Sequence, residues 1–195
     1  MDYKSLIEKE IEYLRKIPTE RIKDIVTQLD YYLKPGGRVI TSGMGKAGQI
    51  AHTLSTTFSS TGTPSFFLHP VEAQHGDLGI VMPGDIVIVF SNSGKTKEVV
   101  ELIDLVHSLG YSNMIIGIFG ESNTYMSTKC ADYIEFGKVE EICPLGLTPT
   151  TSTTCMSMIS DLLVVGLMEK RGYTKQKYAK VHHGGYLNLK ARGIV

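Results

Sequence analysis

Two runs, Ile86–Phe90 and Met114–Phe119, carry no charge and no polar alternation. A strand with one wet face alternates apolar and polar side chains, so these runs belong to strands covered on both faces, as in a parallel sheet between helix layers. Arg38–Ser42 is a short β-branched run, and Ser65–Leu68 and Tyr133–Phe136 also have strand composition. Helical spacing fills the gaps. Leu6, Ile7, Ile11 and Leu14 form one stripe; a second, opened by Pro18, runs from Ile22 through Leu33 until Pro35-Gly36-Gly37 stops it. Further helices are expected over 47–61, 96–109, 123–130, 150–170 and 174–181. Alternation of this kind predicts an α/β chain with a parallel sheet, whose ligands sit at the carboxyl ends of the strands.

At 195 residues the chain suits one domain: helices over 1–36 and a ligand-binding core over 37–185. Lys+Arg and Asp+Glu stand at 20 each, so no basic field draws in nucleic acid or a membrane surface. Cys130, Cys143 and Cys155 form no Cys-x-x-Cys pair, which fits reduced thiols and a cytoplasmic setting. The charged start, Met-Asp-Tyr-Lys, does not read as a signal peptide. Met156–Met168 is interrupted by Asp161 and reads as a buried helix, not a span.

Three stretches read as anion cradles. In the first, Ser42-Gly43-Met44-Gly45-Lys46-Ala47-Gly48, a strand breaks into glycines and opens a helix, whose unpaired amides and dipole favour a negative charge, with Lys46 adding a cation. Gly43, Gly45 and Gly48 also fit a dinucleotide pattern, a weak signal alone. In the second, Ser91-Asn92-Ser93-Gly94-Lys95-Thr96, three hydroxyls surround a glycine at a helix start, more than an ordinary serine cap requires. The third, Thr148–Thr154 with Thr150 and Ser152, either touches ligand or merely starts the long helix. His75 and Asp77 lie in a polar loop or short helix dense in titratable groups; as a metal pair they are too few, and His75 either lines the site or braces the loop. His182-His183-Gly184-Gly185 brings glycines next to imidazoles.

Taken in order, Ser42-Gly43-Met44-Gly45-Lys46, His75-Gly76-Asp77-Leu78-Gly79, Ser91-Asn92-Ser93-Gly94, Cys143–Thr150 and His182–Gly185 resemble the sugar isomerase (SIS) domain of arabinose-5-phosphate isomerases. The resemblance implies a three-layer αβα sandwich with a flavodoxin-like five-stranded parallel sheet and extra N-terminal helices. It implies a homotetramer and interconversion of D-ribulose 5-phosphate and D-arabinose 5-phosphate, without cofactor or metal, to supply Kdo for lipopolysaccharide or capsule. It places the active-site lysine on Lys46, the acidic pair on Glu98 and Glu141 and the histidine on His182, an inventory that suits an enediol mechanism. Glu141 is the expected C–H base, His182 the ring-opening acid/base and Lys46 the group that polarises oxygen; the residues alone do not separate Glu98 from Glu141. Without the resemblance, Glu98 reads equally well as part of an acidic face with Glu101 and Asp104. The chain departs from the family pattern at Lys95 (usually acidic), at His183 (usually proline), at Tyr186–Leu189 in place of a segment ending in arginine, and in lacking the CBS modules of full-length members. These departures motivate an alternative, a non-catalytic binder of a sugar phosphate or of a nucleotide-sugar end product; a hexulose-phosphate isomerase is a third reading. His182, beyond the last expected helix, is also placed to serve a neighbouring subunit.

Overall fold

The computed structural model describes residues 2–33 and 35–194. Two helices, α1 (Tyr3–Leu14) and α2 (Thr19–Tyr32), precede β1 (Val39–Gly43) and α3 (Gly45–Ser60). β2 (Ser65–Phe67) follows, then α4 (Pro70–Ala73) and a 3-10 turn (Asp77–Ile80). β3 (Ile86–Ser91), α5 (Lys97–Ser108), β4 (Met114–Phe119), α6 (Tyr125–Lys129) and β5 (Asp132–Glu135) complete the sheet, and α7 (Thr151–Lys170), α8 (Lys175–Val181) and α9 (Gly185–Ala191) close the chain.

All five strands run parallel in the order β2-β1-β3-β4-β5. The order reverses between β1 and β3, and that switch point opens a crevice outside the strand ends. β3 is buried at every position and β4 at all but its first, as their apolar runs require. One core lies under α2, α3 and α7 and a second under α5, giving the expected three layers. α7 is long and apolar enough to cross a membrane by length and composition, yet nine of its residues, from Thr151 to Leu167, are buried. At the amino end of the sheet the buried Asp85 carboxylate pairs with Arg38 (2.6 Å) and accepts the Met82 amide (2.9 Å), so its charge is compensated.

Three features of these elements matter for the site. α3 starts at Gly45 rather than Ala47, which puts Lys46 in the first helical turn. The 69–79 stretch, expected as a polar loop or short helix, forms α4 and the 3-10 turn. Gly184 caps and Gly185 starts α9, a helix without a clear apolar stripe in sequence.

Candidate active site

At the end of β1 the chain turns directly into α3. The turn is possible because Gly48 has no side chain: a Cβ there would stand 2.5 Å from the Gly43 carbonyl oxygen. Gly45, with φ +57°, takes the left-handed conformation that glycine adopts without penalty. Met44 supplies no side-chain cap, and the first α3 amide with a backbone partner is that of Gly48, donating to Met44 (3.1 Å). The start of α3 is therefore open, with the exposed Lys46 beside it.

The next strand end repeats the arrangement. Ser91, at the end of β3, is buried; its hydroxyl lies 2.9 Å from that of Thr96 and accepts the Gly94 amide (3.1 Å). The exposed Ser93 hydroxyl accepts the Lys95 amide (3.2 Å). Thr96 stands at the N-cap of α5 without a side-chain bond to the helix, and the first backbone bonds return from Val99 and Val100 (both 3.1 Å). Asn92 is exposed; its carbonyl holds the amides of Gly120 and Glu121 (3.0 and 3.3 Å). Glu98 lies half-buried in the first turn of α5, with no side-chain partner among the described residues.

The third helix start is closed. Glu141 lies across the N-terminus of α7, where Oε2 accepts the Thr150 amide (2.6 Å), the Thr150 hydroxyl (3.0 Å) and the Ser152 amide (3.3 Å), and Oε1 accepts the Ser152 hydroxyl. Burial pushes its carboxyl up, but the bonds from Ser152 and Thr150 outweigh that and hold it below the usual range. Thr150 and Ser152 are thereby committed to Glu141, so the third cradle is already filled by the chain itself. In the same loop the Cys143 sulfur accepts the amides of Leu147 (3.2 Å) and Thr148 (3.1 Å). α7 runs alongside α3, with Ile50 and Thr57 of α3 sharing a wall with Ser157 and Val164, so both helices start at the carboxyl end of the sheet. Lys46, Ser91–Glu98 and the α7 start covered by Glu141 thus all lie at the carboxyl end of the sheet.

The expected site residues Ser42, His182 and His183 stand apart from this crevice within one chain. Ser42 is fully buried and its hydroxyl donates to the Leu68 carbonyl; it ties β1 to the segment after β2 and offers no hydroxyl to a ligand. His182 and His183 do not reach this end of the chain's own sheet. After α7, Tyr173 packs under the far end of α3 and donates to the Ser60 carbonyl (3.3 Å), and α8 lines a hollow with Thr61–Thr63 through Lys177, Lys180 and Val181. α3, about 24 Å long at 1.5 Å per residue, separates that hollow from Lys46. There His182 stacks on Tyr178 (centroids 3.6 Å apart, planes 7°), its Nδ1 3.0 Å from the Tyr178 carbonyl. His183 lines a second hollow with Lys180 and Arg192. His75 is exposed between α4 and the 3-10 turn, its amide donating to Glu72 (2.9 Å). Among the described residues no three His, Cys, Asp or Glu side chains group as metal ligands.

A cleft of about 380 Å³ beside the first cradle was not foreseen. It is lined by Gly43, Gly45, Gly48, Gln49, His52, Phe67 and His69, with Phe67 edge-on to both imidazoles. Gln49 and His52 follow Gly45 at four- and seven-residue spacing, the one sequence signal that could have found them.

The family model described as the SIS domain matches residues 32–166. The chain belongs to the SIS-domain family. Among solved structures, this SIS domain superimposes on a candidate phosphosugar isomerase involved in capsule formation from Bacteroides fragilis, with 45% identity, TM-score 0.91 and coverage of 94% of this chain and 97% of that one. An Escherichia coli CFT073 protein, c3406, solved in complex with arabinose 5-phosphate, is 31% identical with TM-score 0.83, over 93% of this chain and all of that one. Among curated relatives, arabinose 5-phosphate isomerase KdsD of Pseudomonas aeruginosa is 40% identical over 84% of this chain and 50% of its own, and that of E. coli K12 is 44% identical over 79% and 46%. The chain spans about half the length of the curated relatives it matches.

Proposed function

We propose that this SIS domain is an aldose–ketose isomerase that interconverts D-ribulose 5-phosphate and D-arabinose 5-phosphate through an enediol and feeds Kdo synthesis for lipopolysaccharide or capsule. One observation carries the reading: two helix starts are left open at neighbouring strand ends, with a lysine at one and hydroxyls at the other, and at the same end of the sheet a third holds an ionised carboxylate. The likeness to isomerases named for this sugar phosphate supports the choice of substrate.

In this reading the phosphoryl group sits on the amides at the start of α5 with Ser93 and Thr96. Lys46 faces the carbonyl oxygen and stabilises the negative charge that develops there. Glu141 removes the proton from C1 of the ketose and returns it to C2, completing the aldose. Glu98, without a side-chain partner among the described residues, orients Lys46 or shares the hydroxyl proton transfer.

His182 serves the site of a neighbouring copy, since its own lies at the other end of α3. Assembly is supported by an apolar groove of about 550 Å³ between α2 and α7, lined by Ile22, Val26, Leu162 and Val165; a homotetramer is the expected size. Purified protein treated with chelator should form arabinose 5-phosphate from ribulose 5-phosphate. A folded sample that is stabilised by the sugar phosphate but turns nothing over is a binding protein instead.

A further inference from the structure

Helix α1 contains no fully buried residue, yet one stretch of it touches the loop of Glu141 at three points. Lys9 Nζ pairs with Glu140 Oε2 (2.9 Å). The Tyr13 hydroxyl accepts the Glu140 amide (3.1 Å). Glu10 Oε1 accepts the hydroxyl of Thr151 (2.8 Å). That same Thr151 oxygen accepts the amide of Ile142 (3.2 Å), shared with the Thr150 hydroxyl (3.1 Å). Residues 140 and 142, the two neighbours of Glu141, are thus both held by α1, one directly and one through Thr151.

Stability does not account for this arrangement. Both side chains of the Lys9–Glu140 pair are exposed, and such pairs contribute little in water. Glu10 buries its second carboxylate oxygen with no partner among the described residues, which costs free energy. The positive end of α7 offsets that charge. What the three contacts supply is position: they fix the backbone on either side of one carboxylate.

We propose that α1 is the positioning element for Glu141, with Lys9, Glu10 and Tyr13 setting where its carboxylate stands against a bound sugar phosphate. The inference rests on the isomerase reading and goes beyond it. None of the three residues touches the phosphate cradle, so loosening them changes proton transfer and leaves anion binding alone.

The test uses Tyr13→Phe, Lys9→Met and Glu10→Gln in the full chain, with Lys9→Arg as the conservative control. Turnover of ribulose 5-phosphate should fall about tenfold in the first three with KM within twofold of the parent, and Lys9→Arg should keep near-parent turnover. The acid limb of the kcat profile should move to higher pH, because a carboxylate that drifts from the α7 amides loses the bonds that hold it ionised. The groups facing Glu141 in that titration are Glu10 from α1, Lys9 through Glu140, and Cys155 from α7. Amide hydrogen exchange supplies a readout independent of turnover: protection at 140–151 should drop in Tyr13→Phe and Glu10→Gln while 93–97 stays as in the parent. Unchanged kcat and pH profile in all three variants, or kcat and KM lost together with melting temperature, would overturn the proposal. If the parent turns nothing over, the isomerase reading fails by itself. The exchange pattern then decides, and equal protection of 140–151 in parent and variants refutes the clamp.

Discussion

Helices α3 and α5 begin alike and α7 begins differently. At the first two no side-chain cap lies across the leading amides; at the third a carboxylate from the preceding loop takes the amides and hydroxyls of Thr150 and Ser152. A helix start carries the same partial positive charge in each case. What decides whether it receives a ligand is whether the chain has already supplied an anion. The difference separates two jobs within one crevice. Open ends can hold a phosphate or a developing oxyanion, while the closed end keeps a carboxylate in its ionised form.

Removing the groups that distinguish the two kinds of end should have the largest effect. Lys46→Ala at the open end and Glu141→Gln at the closed one are each expected to lower turnover by about two orders of magnitude or more, measured by conversion of ribulose 5-phosphate. If Glu141→Gln keeps its rate, the closed end is only a cap and Glu98 is the base. Next, His182→Ala should be inactive alone but regain a measurable share of activity when mixed with inactive Lys46→Ala and allowed to exchange subunits. Mixed oligomers then contain sites with both groups, and failure to recover would place the histidine elsewhere. At the open start of α5, Thr96→Val should raise KM for the sugar phosphate about tenfold with little change in kcat, the cost of one hydrogen bond to a charged group. The same substitution should also remove the rise in melting temperature given by inorganic phosphate.

The smallest effect concerns the closed end and pH. Glu141 is held below its ordinary pKa in the fold, so its contribution to stability is present above the unfolded value of about 4.3 and is lost as pH falls through the folded one. Melting temperature measured below about pH 4.5 should therefore fall less steeply in Glu141→Gln than in the parent.

Much of the frame could be read from residue order. The uninterrupted runs Ile86–Phe90 and Met114–Phe119 can satisfy their side chains only between two layers, so β3, β4 and the parallel arrangement followed directly. Lys46, Ser91 and Thr96 were legible for a related reason, since glycine and hydroxyl at a strand-to-helix junction mark a helix start. The parts that escaped depend on contacts distant in sequence. That Thr150 and Ser152 spend their donors on Glu141, or that Ser42 turns to Leu68, is set by which partner arrives in space, and no periodicity encodes it. α1 reaching residue 140 is a contact across 127 positions or more. His182 was correctly placed beyond the long helix but, within one chain, lies at the wrong end of the sheet, because the turn at Gly172–Tyr173 sends the chain beneath α3.

The contact between Gly43 and Gly48 makes absent atoms a part of how the proposed site is built. An ordinary contact needs 3.4 Å or more where a methyl at position 48 would have 2.5 Å, so alanine would lever the front of α3 away from β1 by roughly an ångström. Lys46 rides on that lever arm. A displacement of this size at a reacting centre is enough to cost about a hundredfold in rate, so the smallest possible enlargement, at a position no ligand need touch, would register as an active-site lesion.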